Sequence, residues 1–138
     1  MSFKLVTEYP KLFKQYRSDI KDLYSNWVFE CEPGWYDIID NLCKKIAKVT
    51  DKVEFIQIKE KFGSLRIYVD LDNAMSEEQA STVYSLIKEA EELSTKTCEL
   101  CGKVEDHNII RNDFAWYMAR CDDCWGSRKL DEREKEIA

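Results

Sequence analysis

The chain is short of several residue types on which chemistry is commonly built. It has a single histidine, His107, so a site that needs two imidazoles is excluded. Four glycines and two prolines leave no glycine-rich phosphate loop, no nucleophile-elbow motif, no low-complexity tract and no Gly/Ser linker. Internal repeats are absent, and no apolar run is long enough to cross a bilayer. The opening residues, MSFKLVTEYPKLFKQYRSD, carry charge throughout and lack the apolar centre of a signal peptide. A cytoplasmic location is expected, and with it an absence of disulfides. Positive charge is also in deficit: 21 Lys and Arg against 27 Asp and Glu give a net charge of −6. A field of that sign opposes phosphate, so general coating of nucleic acid is not expected and an anion must be met by a local patch.

If disulfides are not expected, the six cysteines need another reading, and four of them supply one. TCELCG at 97–102 and RCDDCW at 120–125 hold two C-x-x-C pairs, Cys98–Cys101 and Cys121–Cys124, separated by nineteen residues. That spacing is typical of a structural zinc site. Each C-x-x-C turn brings two thiolates to one ion, and two turns close a tetrahedron of four sulfurs with no position left for substrate. Structural Zn2+ is therefore the expected cofactor. Between the pairs, HNIIRNDFAWYMAR reads as a short hairpin with its turn at Asn112-Asp113, and CWGSRKLDEREKEI reads as a helix. Knuckle, hairpin and helix in that order make a treble clef; without the helix they make a plain ribbon. The other two cysteines, Cys31 and Cys43, read as core thiols.

Asp106-His107 follows the first knuckle. Its position resembles that of the catalytic histidine in the His-Asn-His nucleases, where a treble-clef zinc supports the hairpin. The resemblance would make His107 a general base for water. The second histidine of that family, a metal ligand, has no counterpart here.

Upstream of the cysteines the pattern is mixed. Residues 11–24, KLFKQYRSDIKDLY, read as one or two short helices with Leu12, Phe13 and Tyr16 on one face. Pro33-Gly34 marks a turn, and Trp35, Ile38, Ile39, Leu42, Cys43 and Ile46 follow helical spacing over 35–49. Period-two alternation then predicts strands at 53–61 and 64–71. Ser76 with Gln79 reads as a capping box opening a helix over 77–94, with Ala80, Val83, Tyr84, Ile87 and Leu93 as its apolar stripe. The expected fold class is α+β: helices on one face of a small antiparallel sheet (1–96), with a docked zinc module (97–138).

The two strands raise a question of charge. With Phe62-Gly63 as central turn residues, Lys59 faces Arg66, and Ile56 faces Val69. Ile56, Ile58, Leu65, Ile67 and Val69 then form the core face, with Glu60 near the turn. Gln57, Lys59, Lys61, Arg66 and Tyr68 form the other. Like charges opposite each other on a sheet repel. Three cations, an amide and a phenol on one rigid face also make a kit for phosphate, with Arg66 able to bind two oxygens at once. Tyr68, Trp35 or Trp116 could stack on a base.

GWYDIIDNLC, VEFIQIKEKFGSLRIYVD and AEELSTKTCELCG together resemble a family of small proteins encoded by bacteriophages and prophages. Its members are similar in a glycine-tryptophan before a helix, a K-x-K-F-G-x-L-R hairpin and a C-terminal zinc module. The resemblance implies that Gly34, Trp35, Lys59, Lys61, Phe62, Gly63, Leu65 and Arg66 belong to the family pattern. It implies a genetic context more than a chemistry; joined to the cationic face, it leads to the expectation of a non-enzymatic accessory role, such as countering host defence by sequestering a nucleotide or cyclic nucleotide. Lys59, Lys61 and Arg66 would hold phosphate, with Tyr68, Trp35 and Gln57 beside them. The alternative is a module that grips a host protein through FAWYM and an acidic surface; a homo-oligomer is compatible with either.

Overall fold

The computed structural model describes residues 2–13, 29–114 and 116–127. Helix α1, Ser2–Glu8, opens the chain and ends before Pro10, beyond which residues 10–13 form a turn. Proline disfavours helical geometry in the residue before it, so the helix closes there. This corrects the expected helix at 11–24, whose first residues are turn; residues 14–24 lie outside the described residues. Leu12 and Phe13 are nevertheless buried, Phe13 with its ring 5.0 Å from that of Phe55.

Strand β1, Phe29–Glu30, precedes a single 3-10 turn at Pro33–Trp35 and helix α2, Tyr36–Val49. Ile38, Ile39, Leu42, Cys43 and Ile46 of α2 are buried, as the helical spacing predicts. Strands β2, Val53–Lys61, and β3, Ser64–Leu71, pair antiparallel. Helix α3, Glu77–Ser94, is capped by the Ser76 hydroxyl, which accepts from the Gln79 N–H at 3.1 Å. The Gln79 side chain donates instead to the Val49 carbonyl, so it ties α3 to α2 rather than completing the box. The buried stripe of α3 is Val83, Ile87, Ala90 and Ser94. Tyr84 and Leu93, expected on it, are exposed, because small residues at 90 and 94 let the helix approach the sheet.

The sheet runs β1-β2-β3, with β1 parallel to β2. The expected antiparallel pair is present, and it is joined by this two-residue parallel strand, which is too short to leave an alternation signal. From Gln57↔Tyr68 to Lys61↔Ser64 the register is as predicted, Lys59↔Arg66 included. A bulge between Phe55 and Gln57 then changes the partner of Val69 from Ile56 to Phe55. Ile56 is exposed as a result, while Phe55 and Val53 are buried. The reason is volume: the bulge turns a phenyl ring into the core against Phe13, and the Phe55 N–H is taken by the Leu12 carbonyl.

Strand β3 would be an open edge. Helix α3 closes it: the Ser94 hydroxyl accepts from the Leu65 N–H and the Glu91 carboxylate from the Ile67 N–H. Beyond α3, a bridge Thr97↔Val104 leads into β4, Ile110–Asp113, and β5, Trp116–Ala119, followed by helical residues 122–127. The second hairpin turns beyond Asp113 rather than at the expected Asn112-Asp113, because Asp113 pairs with Trp116 and Ile110 with Ala119, which is buried in the core. One apolar cluster unites Trp35, Ile39, Ile58 and Leu65 with Cys98, Ile109, Ala119 and Cys121.

Candidate functional site

Cys98 and Cys101 lie on the turn after Thr97, while Cys121 and Cys124 sit at the start of the last helical residues. Knuckle, hairpin and helix therefore follow in the treble-clef order. Within the first turn the Gly102 N–H donates to the Cys98 carbonyl and the Cys98 N–H to the Lys103 carbonyl. The four Sγ atoms lie within 4.8 Å of one another, with Cys101 and Cys121 3.6 Å apart. A Zn–S bond of about 2.3 Å sets tetrahedral S···S edges near 3.8 Å, so the four thiols fit one ion. Burial raises the Cys98 thiol, but the N–H groups of Cys101, Cys121 and Leu100 outweigh it and bring it down to about 6. Cys124 is pushed up by burial and by its neighbouring thiols. The Cys98 thiolate is thus favoured, while the Cys101 and Cys124 thiols beside it are pushed up. Among the described residues this is the one cluster of three or more potential metal ligands.

The cysteine module meets the rest of the molecule along two seams. In the first, the Gly34 N–H donates to the Glu99 carbonyl at 2.6 Å and the Trp35 indole N–H to the Thr97 carbonyl at 2.9 Å. A Cβ at position 34 would lie 2.3 Å from the carbonyl oxygens of Cys98 and Glu99, so only glycine fits. Trp35 is fully buried. It is a bolt between α2 and the first knuckle, which corrects its expected role as a platform for a base. Glu99 reinforces the seam: its carboxylate accepts from the Glu32 N–H and pairs with the Arg120 guanidinium, both side chains being largely buried. Burial raises the Glu99 carboxyl, against the opposing pull of the Glu32 N–H and Arg120.

In the second seam the β2–β3 turn meets the β4–β5 hairpin. Phe62 and Gly63 have φ of 55° and 85°, the positive values that a tight two-residue hairpin turn requires. A Cβ on Gly63 would lie 2.7 Å from Ile110 Cγ2. The Phe62 and Tyr117 rings meet edge to face at 6.3 Å. The Glu60 carboxylate accepts from the Gly63 N–H and steadies the turn. Gly34, Trp35, Phe62 and Gly63 thus find a structural reason in these seams.

The face opposite the helices carries the cations. Lys59 and Arg66 are cross-strand partners, with Gln57, Lys61 and Tyr68 on the same side by alternation. The opposition is softened in two ways. Glu30 of β1 is the register partner of Lys59 on its other flank, and Lys59 Nζ stands 5.6 Å over the Tyr68 ring. Lys61 Nζ stands 5.5 Å over the ring of Phe62. Arg66 and Lys61 are exposed, and Tyr68 is 46% exposed.

The structure leaves His107 exposed, its Nδ1 2.8 Å from the Asp106 carboxylate. Cys43 is fully buried, and Cys31 is half-buried with its thiol pushed up to about 12 by burial and then by Glu99, Glu32 and Glu60. Three features escaped the sequence: Glu30 beside Lys59, the Glu99–Arg120 pair, and the Phe62–Tyr117 contact. Each joins residues far apart in the chain, and only the acid within the first C-x-x-C and the arginine just before the second hinted at any of them. No described helix is long and apolar enough to cross a membrane. The chain matches no protein-family model, no curated protein and no solved structure.

Proposed function

We propose that the protein is a non-catalytic binding protein that captures a phosphate-bearing, nucleotide-like anion on the outer face of the β2–β3 hairpin. The observation that carries this reading is the row of exposed Arg66 and Lys61 with half-buried Lys59, beside Tyr68, on a chain of net charge −6. Arg66 offers a planar fork to two phosphate oxygens, and Lys59 and Lys61 add point charges. The face is rigid because α3 seals one edge of the hairpin and the cysteine module braces its turn. Four thiolates are a donor set for zinc or iron. Zinc is the proposed ion, holding the fold and offering no open position. The resemblance to small phage proteins supports a role in countering host defence by sequestration, in a host cytoplasm. The test is thermal melting of the zinc-loaded protein against mono-, di- and cyclic nucleotides. A stabilisation that vanishes in Arg66→Ala is the expected result.

A second reading rests on the other hairpin. Phe114 is 96% exposed and Trp116 69% exposed. Aromatic anchors of this kind suit a protein interface, and a protein-binding module would be indifferent to nucleotides.

A further inference from the structure

The cation row does not end at the turn. Tyr68 underlies Lys59, which faces Arg66; Lys61, two residues on, stands over Phe62; and Phe62 meets Tyr117 of the second hairpin. Aromatic rings therefore bracket the cations along a strip that crosses the second seam. From Gln57, the partner of Tyr68, to Phe62 is five residues of extended chain, about 17 Å. One base cannot touch both Tyr68 and Phe62.

We infer that this strip takes a short single-stranded nucleic acid, with bases on Tyr68 and on the Phe62–Tyr117 pair and the intervening phosphates on Lys59, Arg66 and Lys61. Single strands are held in this way by positive tracks punctuated with stacking platforms. A duplex offers its phosphates but keeps its bases stacked on one another. A protein partner is disfavoured by composition: lysine is depleted from protein interfaces, whose cores are apolar with charges at the rim. Here the charges lie between the rings. The excess of acid elsewhere confines the polyanion to this strip. The inference rests on the anion site proposed above and extends it from a nucleotide to a strand.

The test is fluorescence anisotropy of the zinc-loaded full chain with labelled twelve-residue oligothymidylate and oligouridylate. Competitors are a duplex of equal length, a mononucleotide and polyglutamate. The expected result is tighter binding of a single strand than of any competitor, and the two oligomers report whether DNA or RNA is preferred. Three neutralised phosphates predict a slope of log K against log salt of about −2. Tyr68→Ala should weaken binding roughly ten-fold, and Lys61→Glu should weaken it further and flatten the slope. Circular dichroism confirms that both variants fold. Binding of the mononucleotide as tight as that of the oligomer would overturn the strand and leave the anion site standing. Equal binding of duplex or polyglutamate would overturn the stacking. Binding of none of them would remove both readings and turn the search towards a protein partner.

Discussion

The two hairpins begin their turns alike and use them differently. Each turn opens on a phenylalanine at positive φ, 55° for Phe62 and 58° for Phe114. At the β2–β3 turn the ring rests on Tyr117, Glu60 holds the next N–H, and Gly63 lies against Ile110. At the β4–β5 turn the phenyl group projects into solvent. A left-handed phenylalanine costs on the order of 1 kcal/mol in either place. At position 62 contacts within the protein offset that cost. At position 114 the described residues offer no such contact, and on the second reading proposed above the exposed ring serves a protein partner. On that reading the first turn is a brace and the second is a probe.

The largest expected effect comes from loss of the ion proposed at the four cysteines. Stripping metal with a chelator, or Cys98→Ser, should loosen both seams at once. Because Cys98, Ala119 and Cys121 belong to the common core, the whole molecule should feel it, with a fall in Tm of roughly 10 °C or more. A melt in which β2–β3 keeps its stability without metal would show that the brace runs in one direction only. Next is Gly34→Ala, whose methyl would meet two carbonyl oxygens at 2.3 Å. It should cost about 3 kcal/mol by denaturant unfolding. Gly126→Ala, with open space around it, should stay within about 0.5 kcal/mol.

Gly63→Ala combines a positive φ with a methyl 2.7 Å from Ile110, for a loss of about 2 kcal/mol. The sharpest test of brace against probe is to place asparagine, which tolerates left-handed backbone, at each turn. Phe114→Asn should gain about 0.5 kcal/mol and, on the protein-interface reading, weaken capture of a protein partner. Phe62→Asn should lose about 1 kcal/mol, because its ring contact disappears. Equal stability changes at the two positions would end the distinction. Smallest is Arg66→Thr, which relieves the opposition to Lys59 and should add a few tenths of a kcal/mol while abolishing anion binding.

Much of this frame was readable in advance, for local reasons. Strands 53–61 and 64–71, the Phe62-Gly63 turn and the Lys59–Arg66 pairing follow from alternation alone, which tolerates no slip where one face is apolar. Ser76 and the helix it caps follow from hydroxyl chemistry. The bulge at Ile56 was hidden because Val53, Phe55, Ile56 and Ile58 satisfy two alternations, and the demand of the core for a phenyl ring decides between them. The turn at Phe114 was hidden because Asn112-Asp113 is the better local turn. Pairing Ile110 with Ala119, so that Ala119 is buried, overrides it.

The sequence by itself determined the four-cysteine cluster, the hairpin, its two chemically distinct faces and the amphipathic helices, since spacing and period along a chain specify which residues share a turn or a face. Tertiary structure decided what those residues meet. It turned Trp35 inward against Thr97, set Glu30 beside Lys59, and joined the cation row to Tyr117 through Phe62. Those contacts span tens of residues. They form because burying one shared core brings together surfaces that no local pattern relates.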